Sequence, residues 1–190
     1  MASKDFDDSE LAASSTAGYK GPGKETTEEE RKNLSFYDDS LAKYEASLGI
    51  GKAGSGTGPK VTVLNVTLKP ANRPGGSIVV DLTSNAQSKP IVLKEGSTFV
   101  PQLTFKVNHG IIAGLRYIQV AKRLGLSQKT EEMVGSYAAQ EQPYVKSFPE
   151  EDVPSGMMAR GDYKVRTRVI DDDGNTYLST DWRMTIAKDW

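Results

Sequence analysis

The chain of 190 residues contains no cysteine. That excludes a disulfide framework, a thiolate metal site and a cysteine nucleophile. It has a single histidine, His109. Any Ser-His-Asp arrangement would have to use it, and no nucleophile-elbow sequence accompanies it. One imidazole and no thiolates also leave metal-assisted hydrolysis without its usual ligands, so neither a catalytic residue nor a metal or cofactor site is predicted. Apolar residues make up only 37% and the mean hydropathy is −0.49, low for a chain that is compact throughout. No apolar run approaches the length of a membrane span, and the opening MASKDFDDSEL has no signal-peptide core. The expectation is a cytoplasmic protein without stable membrane insertion.

Positive charge is not concentrated either. Residues 1–58 hold eleven acids and seven bases, net −4; residues 59–190 hold fourteen acids and seventeen bases, net +3. A mildly basic body lacks the dense patch that nucleic acid requires. An acidic arm can instead engage basic surfaces, its own body included.

What is present divides the chain in two. Residues 1–24 are rich in Ser, Ala, Gly, Asp and Lys without periodicity, which predicts no fixed structure. Thr27-x-x-Glu30 has the form of a capping box and predicts a short helix to about residue 34. Asp38-Asp39-Ser40 predicts the start of a second helix over about 38–48, stopped by Gly49. Leu41, Tyr44 and Leu48 form a narrow apolar stripe on it, too short to stabilise an isolated helix in water. GIGKAGSGTG (49–58) reads as a flexible linker. Residues 1–58 are thus expected to be an acidic, flexible arm with short helices.

After residue 58 the hydrophobic period becomes two, the signature of half-buried strands. Leu64, Val66 and Leu68 form one inward set and Ile78, Val80 and Leu82 the next. Phe99, Pro101, Leu103, Phe105 and Val107 alternate with polar partners. IIAGLRYIQVAK is apolar on both faces, Ile111, Leu115 and Tyr117 against Ile112, Ile118 and Val120, as a central strand would be. The last stretch is a long hairpin. Tyr163, Val165, Thr167 and Val169 face Leu178, Thr180, Trp182, Met184 and Ile186 across the Asp173-Gly174 turn. Seven to nine short strands with turns every eight to twelve residues predict an all-β fold over residues 59–190, a β-sandwich held by packing alone.

Short motifs receive bland readings. Asp171, Asp173 and Asn175 imitate the start of a calcium loop, but the Gly is displaced to 174 and no helices flank it, so a hairpin turn is expected. Asn65-Val66-Thr67 lies mid-strand, and Arg160-Gly161-Asp162 at a strand entry. Large inward side chains such as Phe99, Phe105, Met157, Met158, Trp182 and Met184 read first as core, although a sandwich can open between its sheets to admit an apolar ligand.

Many ordered blocks between residues 38 and 190 resemble one family: DDSLAKYEASLG (38–49), VLKEG (92–96), FKVN (105–108), RYIQ (116–119), MVGSY (133–137), GMMARGDY (156–163), DDDG (171–174) and TIAKDW (185–190). The sequence is similar to the Rho GDP-dissociation inhibitors. The resemblance implies an immunoglobulin-like β-sandwich behind a regulatory arm, and a non-enzymatic inhibitor that binds prenylated, GDP-bound Rho-family GTPases as a monomer forming a heterodimer. It further implies that the sandwich shields a geranylgeranyl group while the arm blocks GDP release, together extracting the GTPase from membranes.

By matching block, Asp38, Tyr44 and Leu48 of the arm, with Asp172 and Asp173, resemble the GTPase-contacting positions. Leu68, Ile91, Phe99, Ile111, Met158 and Trp182 fall where the family lines its isoprenoid pocket. Pro90 and Asp162 stand where some relatives carry regulatory serines, so that control is not expected here. A general carrier of prenyl or acyl lipids on non-Rho cargo is the alternative reading, and a structural adhesion module a third.

Overall fold

The computed structural model describes residues 6–14, 58–82 and 90–190. Among the described residues the body holds ten strands: β1 (Val61–Pro70), β2 (Ile78–Asp81), β3 (Ile91–Lys94), β4 (Thr98–Val107), β5 (Ile111–Arg123), β6 (Leu126–Ala138), β7 (Tyr144–Ser147), β8 (Glu151–Asp152), β9 (Gly161–Ile170) and β10 (Thr176–Ala187). They form two five-stranded sheets. One runs β2-β1-β4-β7, with β8 also paired to β4; the other runs β3-β10-β9-β5-β6. Pairing is antiparallel except between β3 and β10. The protein is an all-β sandwich.

The core is the space between the sheets. Phe99, Leu103, Phe105 and Val107 enter it from β4, and Val165, Val169, Trp182 and Ile186 from the terminal hairpin. Strict alternation on β4 makes every second residue buried, as its period of two dictates. The terminal hairpin keeps the inward set read from its sequence, and Gly174 takes the positive φ (83°) that its turn requires.

In β1 and β5 a bulge changes which face the residues before it occupy. In β1 the register with β4 shifts between Val63 and Asn65. Leu64, expected inward, is therefore exposed, while Val61 and Val63 join Val66 and Leu68 in the core. In β5 the register with β6 shifts around Leu115, where Gly114 has φ +61°. An added residue flips the parity of everything before it. Ile112, not Ile111, thus shares the inner face with Leu115 and Tyr117.

The outer face of β5 would be left bare by this arrangement, and the N-terminus covers it. Asp8–Leu11 forms a short 3-10 helix whose start is a reciprocal capping box: Asp7 Oδ1 accepts from the Ser9 amide at 3.1 Å and Glu10 Oε2 from the Asp7 amide at 3.2 Å. Phe6 and Leu11 are buried against Ile118 and Val120. Lys122 and Arg166 sit over the Phe6 ring at 5.0 and 4.8 Å from its centroid. Composition predicts no structure in residues 1–24; residues 6–14 are ordered because three features coincide there. These are two apolar anchors, a capping box, and a basic sheet face that the acidic segment meets through a Glu10–Lys122 ion pair.

Candidate functional site

Between the sheets, toward the end where β5 turns into β6, lies a cavity of about 50 Å³. Leu68 of β1, Leu93 of β3, Phe99 of β4 and Trp182 with Met184 of β10 form its apolar wall. Gln119, Ala121, Gln128, Thr130, Asp152 and Pro154 also line it, so that one side is polar. Trp182 is buried, and its one polar atom is satisfied: Nε1 donates to Thr167 Oγ1 at 3.0 Å. The ring therefore offers only apolar surface to the cavity. Glu151 also borders it; burial, and secondarily the charge of Glu132, pushes its carboxyl pKa up.

The residues assigned to an isoprenoid pocket separate into two groups. Leu68, Phe99 and Trp182 meet in this cavity. Ile91 does not line it; it is buried beside the cavity on β3, in register with Met184, and borders a separate shallow pocket with Ile78 and Trp190. Ile111 and Met158 are not brought there at all, being 43% and 88% exposed. Ile111 is turned out by the bulge that follows it, and Met158 lies in the turn before β9. Leu93, Ala121 and Ile186 join the wall without having been singled out, together with Met184, which was named only among the large inward side chains. Met184 and Ile186 were legible as inward positions of the hairpin; Leu93 and Ala121 depend on which strands face each other.

A second assembly links the hairpin turn to the N-terminal segment. Arg116, only 6% exposed, projects from the outer face of β5. Its Nε and Nη2 donate to Asp172 Oδ1 at 3.2 and 3.1 Å, and its Nη1 to Glu131 Oε1 at 3.2 Å and to Ser14 Oγ at 2.9 Å. Glu131 Oε1 also accepts from the amide and hydroxyl of Ser14 at 2.9 and 2.6 Å, while Lys129 Nζ lies 3.1 Å from Oε2. Gly114 makes room for this, since a Cβ there would lie 1.9 Å from Asp172 Oδ2. Next in the turn, the buried Asp171 accepts from the amides of Asp173 and Asn175 and from the side chains of Asn175 and Tyr177. Its lone pairs build the loop, which is what the calcium-like spacing is for.

Asp172 and Asp173, both matched to GTPase-contacting positions, have different surroundings. Asp172 is held by Arg116 with its side chain 10% exposed, whereas Asp173 faces solvent. Asp38, Tyr44, Leu48 and both expected arm helices lie outside the described residues.

Burial would raise the pKa of Glu131, but hydrogen bonds from the Ser14 hydroxyl and amide and from Lys129 outweigh it and hold the group at about 2. A carboxyl whose folded pKa is depressed contributes stability above its free value of 4.5 and loses it as pH falls toward 2. Docking of residues 6–14 is thus expected to be intact at neutral pH and to weaken between those limits. NMR contacts from Leu11 methyls to Ile118 and Val120 across that range check it. Contacts unchanged down to pH 2 would remove Glu131 from this role.

Comparison with known proteins adds a different kind of information. A family model described as "RHO protein GDP dissociation inhibitor" matches residues 3–189. The chain is similar to Rho GDP-dissociation inhibitor 1 of Homo sapiens, at 38% identity over 181 residues, covering 92% of this chain and 88% of that protein. It is 36% identical to the Rho GDP-dissociation inhibitor of Saccharomyces cerevisiae over 184 residues, covering 90% of each. With Rho GDP-dissociation inhibitor 1 of Arabidopsis thaliana it shares 34% over 158 residues, covering 80% of this chain and 66% of the relative.

Proposed function

This chain belongs to the Rho GDP-dissociation inhibitor family, a family of regulatory inhibitors of Rho GTPases and not of enzymes, and on that premise we propose how it works. The cavity between the sheets receives the geranylgeranyl group of a GDP-bound Rho-family GTPase. The acidic arm, residues 1–58, packs through Asp38, Tyr44 and Leu48 on the GTPase and slows GDP release. Asp173 adds a contact from the β9–β10 turn. The combined binding withdraws the GTPase from membranes into solution as a one-to-one complex in the cytoplasm.

One observation carries this reading: the cavity between the sheets with Leu68, Phe99 and Trp182 on its apolar wall, in a chain of this family. A twenty-carbon isoprenoid exposed to water costs on the order of 10 kcal/mol, at ~0.8 kcal/mol per methylene. Its transfer from bilayer to an apolar cavity is nearly neutral, so contacts made by the arm must tip the partition. At about 50 Å³ the cavity is well short of the roughly 300 Å³ at which ligand pockets begin. The sheets therefore part on loading, and the lipid takes the place of contacts between their inner faces. No helix among the described residues is long and apolar enough to cross a membrane.

Mixing the chain with membranes that carry prenylated, GDP-loaded Rho GTPase should bring the GTPase into the supernatant. The same GTPase without its prenyl group should bind far more weakly. Release no greater than with buffer would overturn the proposal.

A further inference from the structure

The end of the sandwich at which the cavity lies carries four large apolar side chains that stand mostly in solvent. Leu124 and Leu126 at the β5–β6 turn are 83% and 78% exposed; Met157 and Met158, before β9, are 83% and 88% exposed. They belong together spatially, because Arg123 donates from Nη1 to the Met158 carbonyl and tethers one turn to the other. Single exposed apolar residues are ordinary, but a cluster at one end marks a contact surface.

Backbone geometry argues the same way. Leu124 has φ +48°, and among the described residues it is the one non-glycine with positive φ. With Gly125 at φ +80° it forms a two-residue turn, where Asn or Gly would sit at lower cost. A leucine held there, contributing nothing to the core, indicates a use for its side chain outside the fold.

Register connects this patch to the cavity. Arg123 pairs with Leu126, and two positions inward Ala121 pairs with Gln128. Both of the latter border the cavity. Side chains two apart on a strand share a face, so Leu126 continues the cavity-facing side of β6 beyond the reach of the opposite sheet. On the other flank, Pro154 borders the cavity three residues before Met157. Behind the tips, Lys122, Arg123 and Lys164 surround a shallow pocket with Glu10 and Asp162. An apolar tip backed by an excess of cations matches the layering of an anionic bilayer surface, with acyl chains below phosphates.

We propose that this end of the sandwich is a membrane-docking surface: Leu124, Leu126, Met157 and Met158 enter the interfacial layer of an anionic phospholipid bilayer and bring the mouth of the cavity against it. A lipid group would then pass between bilayer and protein without crossing water. The purpose assigned to the contact rests on the proposed lipid-carrying function, but the contact itself can be tested without any GTPase.

Because the full chain lacks cysteine, Leu126→Cys and Gln142→Cys each provide a unique site for an environment-sensitive fluorophore. The second lies in the β6–β7 connection at the opposite end. Vesicles of phosphatidylcholine with phosphatidylserine should shift the emission to the blue at position 126 and leave position 142 unchanged. Phosphatidylcholine alone should give less. Leu124→Asp with Met157→Asp, at exposed positions that the fold does not use, should weaken vesicle binding at least about tenfold and slow GTPase release from membranes, with affinity for a soluble prenylated peptide unchanged. No shift at position 126 on either vesicle overturns the proposal. So does a shift that arises only with added GTPase and no vesicles, which would make the patch a protein interface. A normal vesicle shift without any GTPase extraction would sink the functional reading and leave this one standing.

Discussion

Replacing Arg116 with Met should lower the stability of the chain by about 3–5 kcal/mol, the cost of stripping one partner from a buried ion cluster. Chemical denaturation followed by the tryptophan signal measures it. The magnitude follows from what stays behind. Asp172 and Glu131 have side chains only 10% and 17% exposed, and each loses its guanidinium. Neither can swing freely into water, since Asp172 is packed on Gly114 and Glu131 is held by Ser14 and Lys129. The triple variant Arg116→Met, Asp172→Asn, Glu131→Gln should recover much of the loss, because it removes the buried negative charge together with the cation that balanced it. A single Arg116→Met variant as stable as the parent would show that solvent reaches the cluster and that the strap on the outer sheet face is not tied to the hairpin turn through it.

The second large effect concerns the cavity. Ala121 borders it from β5, where its small side chain leaves space that a larger one would fill. Ala121→Phe should weaken binding of a geranylgeranylated peptide at least about 100-fold, or about 2.7 kcal/mol. The ring would occupy the volume into which the sheets open and anchor them together. Thermal stability should fall by about 1–3 kcal/mol, the usual cost of overpacking, since the ring is larger than the existing free space. Isothermal titration with the lipidated peptide, beside a melting curve, separates the two quantities. A folded variant that binds the lipid as well as the parent would move the lipid site elsewhere.

Much of this molecule is readable from residue order. Alternation on β4 and on the terminal hairpin specifies their inner faces outright, because a strand has only two faces and each buried position is two residues from the next. Asp173-Gly174 specifies the turn, since only such residues accept its backbone angles cheaply. Trp182, Phe99 and Leu68 were identifiable as inward, and the ordered blocks pointed to the family that comparison then established. Leu64 and Ile111 were misplaced for one reason: a bulge adds a residue without any strong local signal, and every side chain on one side of it changes face.

What lay beyond the sequence is what depends on distant segments meeting. Leu93 and Ala121 became cavity wall only once β3 and β5 were set in a single sheet, facing β1 and β4 in the other. Arg116, in a strand whose sequence is otherwise mostly apolar, joins Ser14, Glu131 and Asp172 from three other parts of the chain. The docking of Phe6 and Leu11 was equally hidden. Two apolar residues in a polar, acidic stretch carry no periodicity, and their burial requires the outer face of β5, more than a hundred residues away. Local patterns determine strands, turns and which face is apolar, because those follow from steric preference and period. Which faces meet, what covers an outer face and where a void remains are settled by packing the whole chain at once.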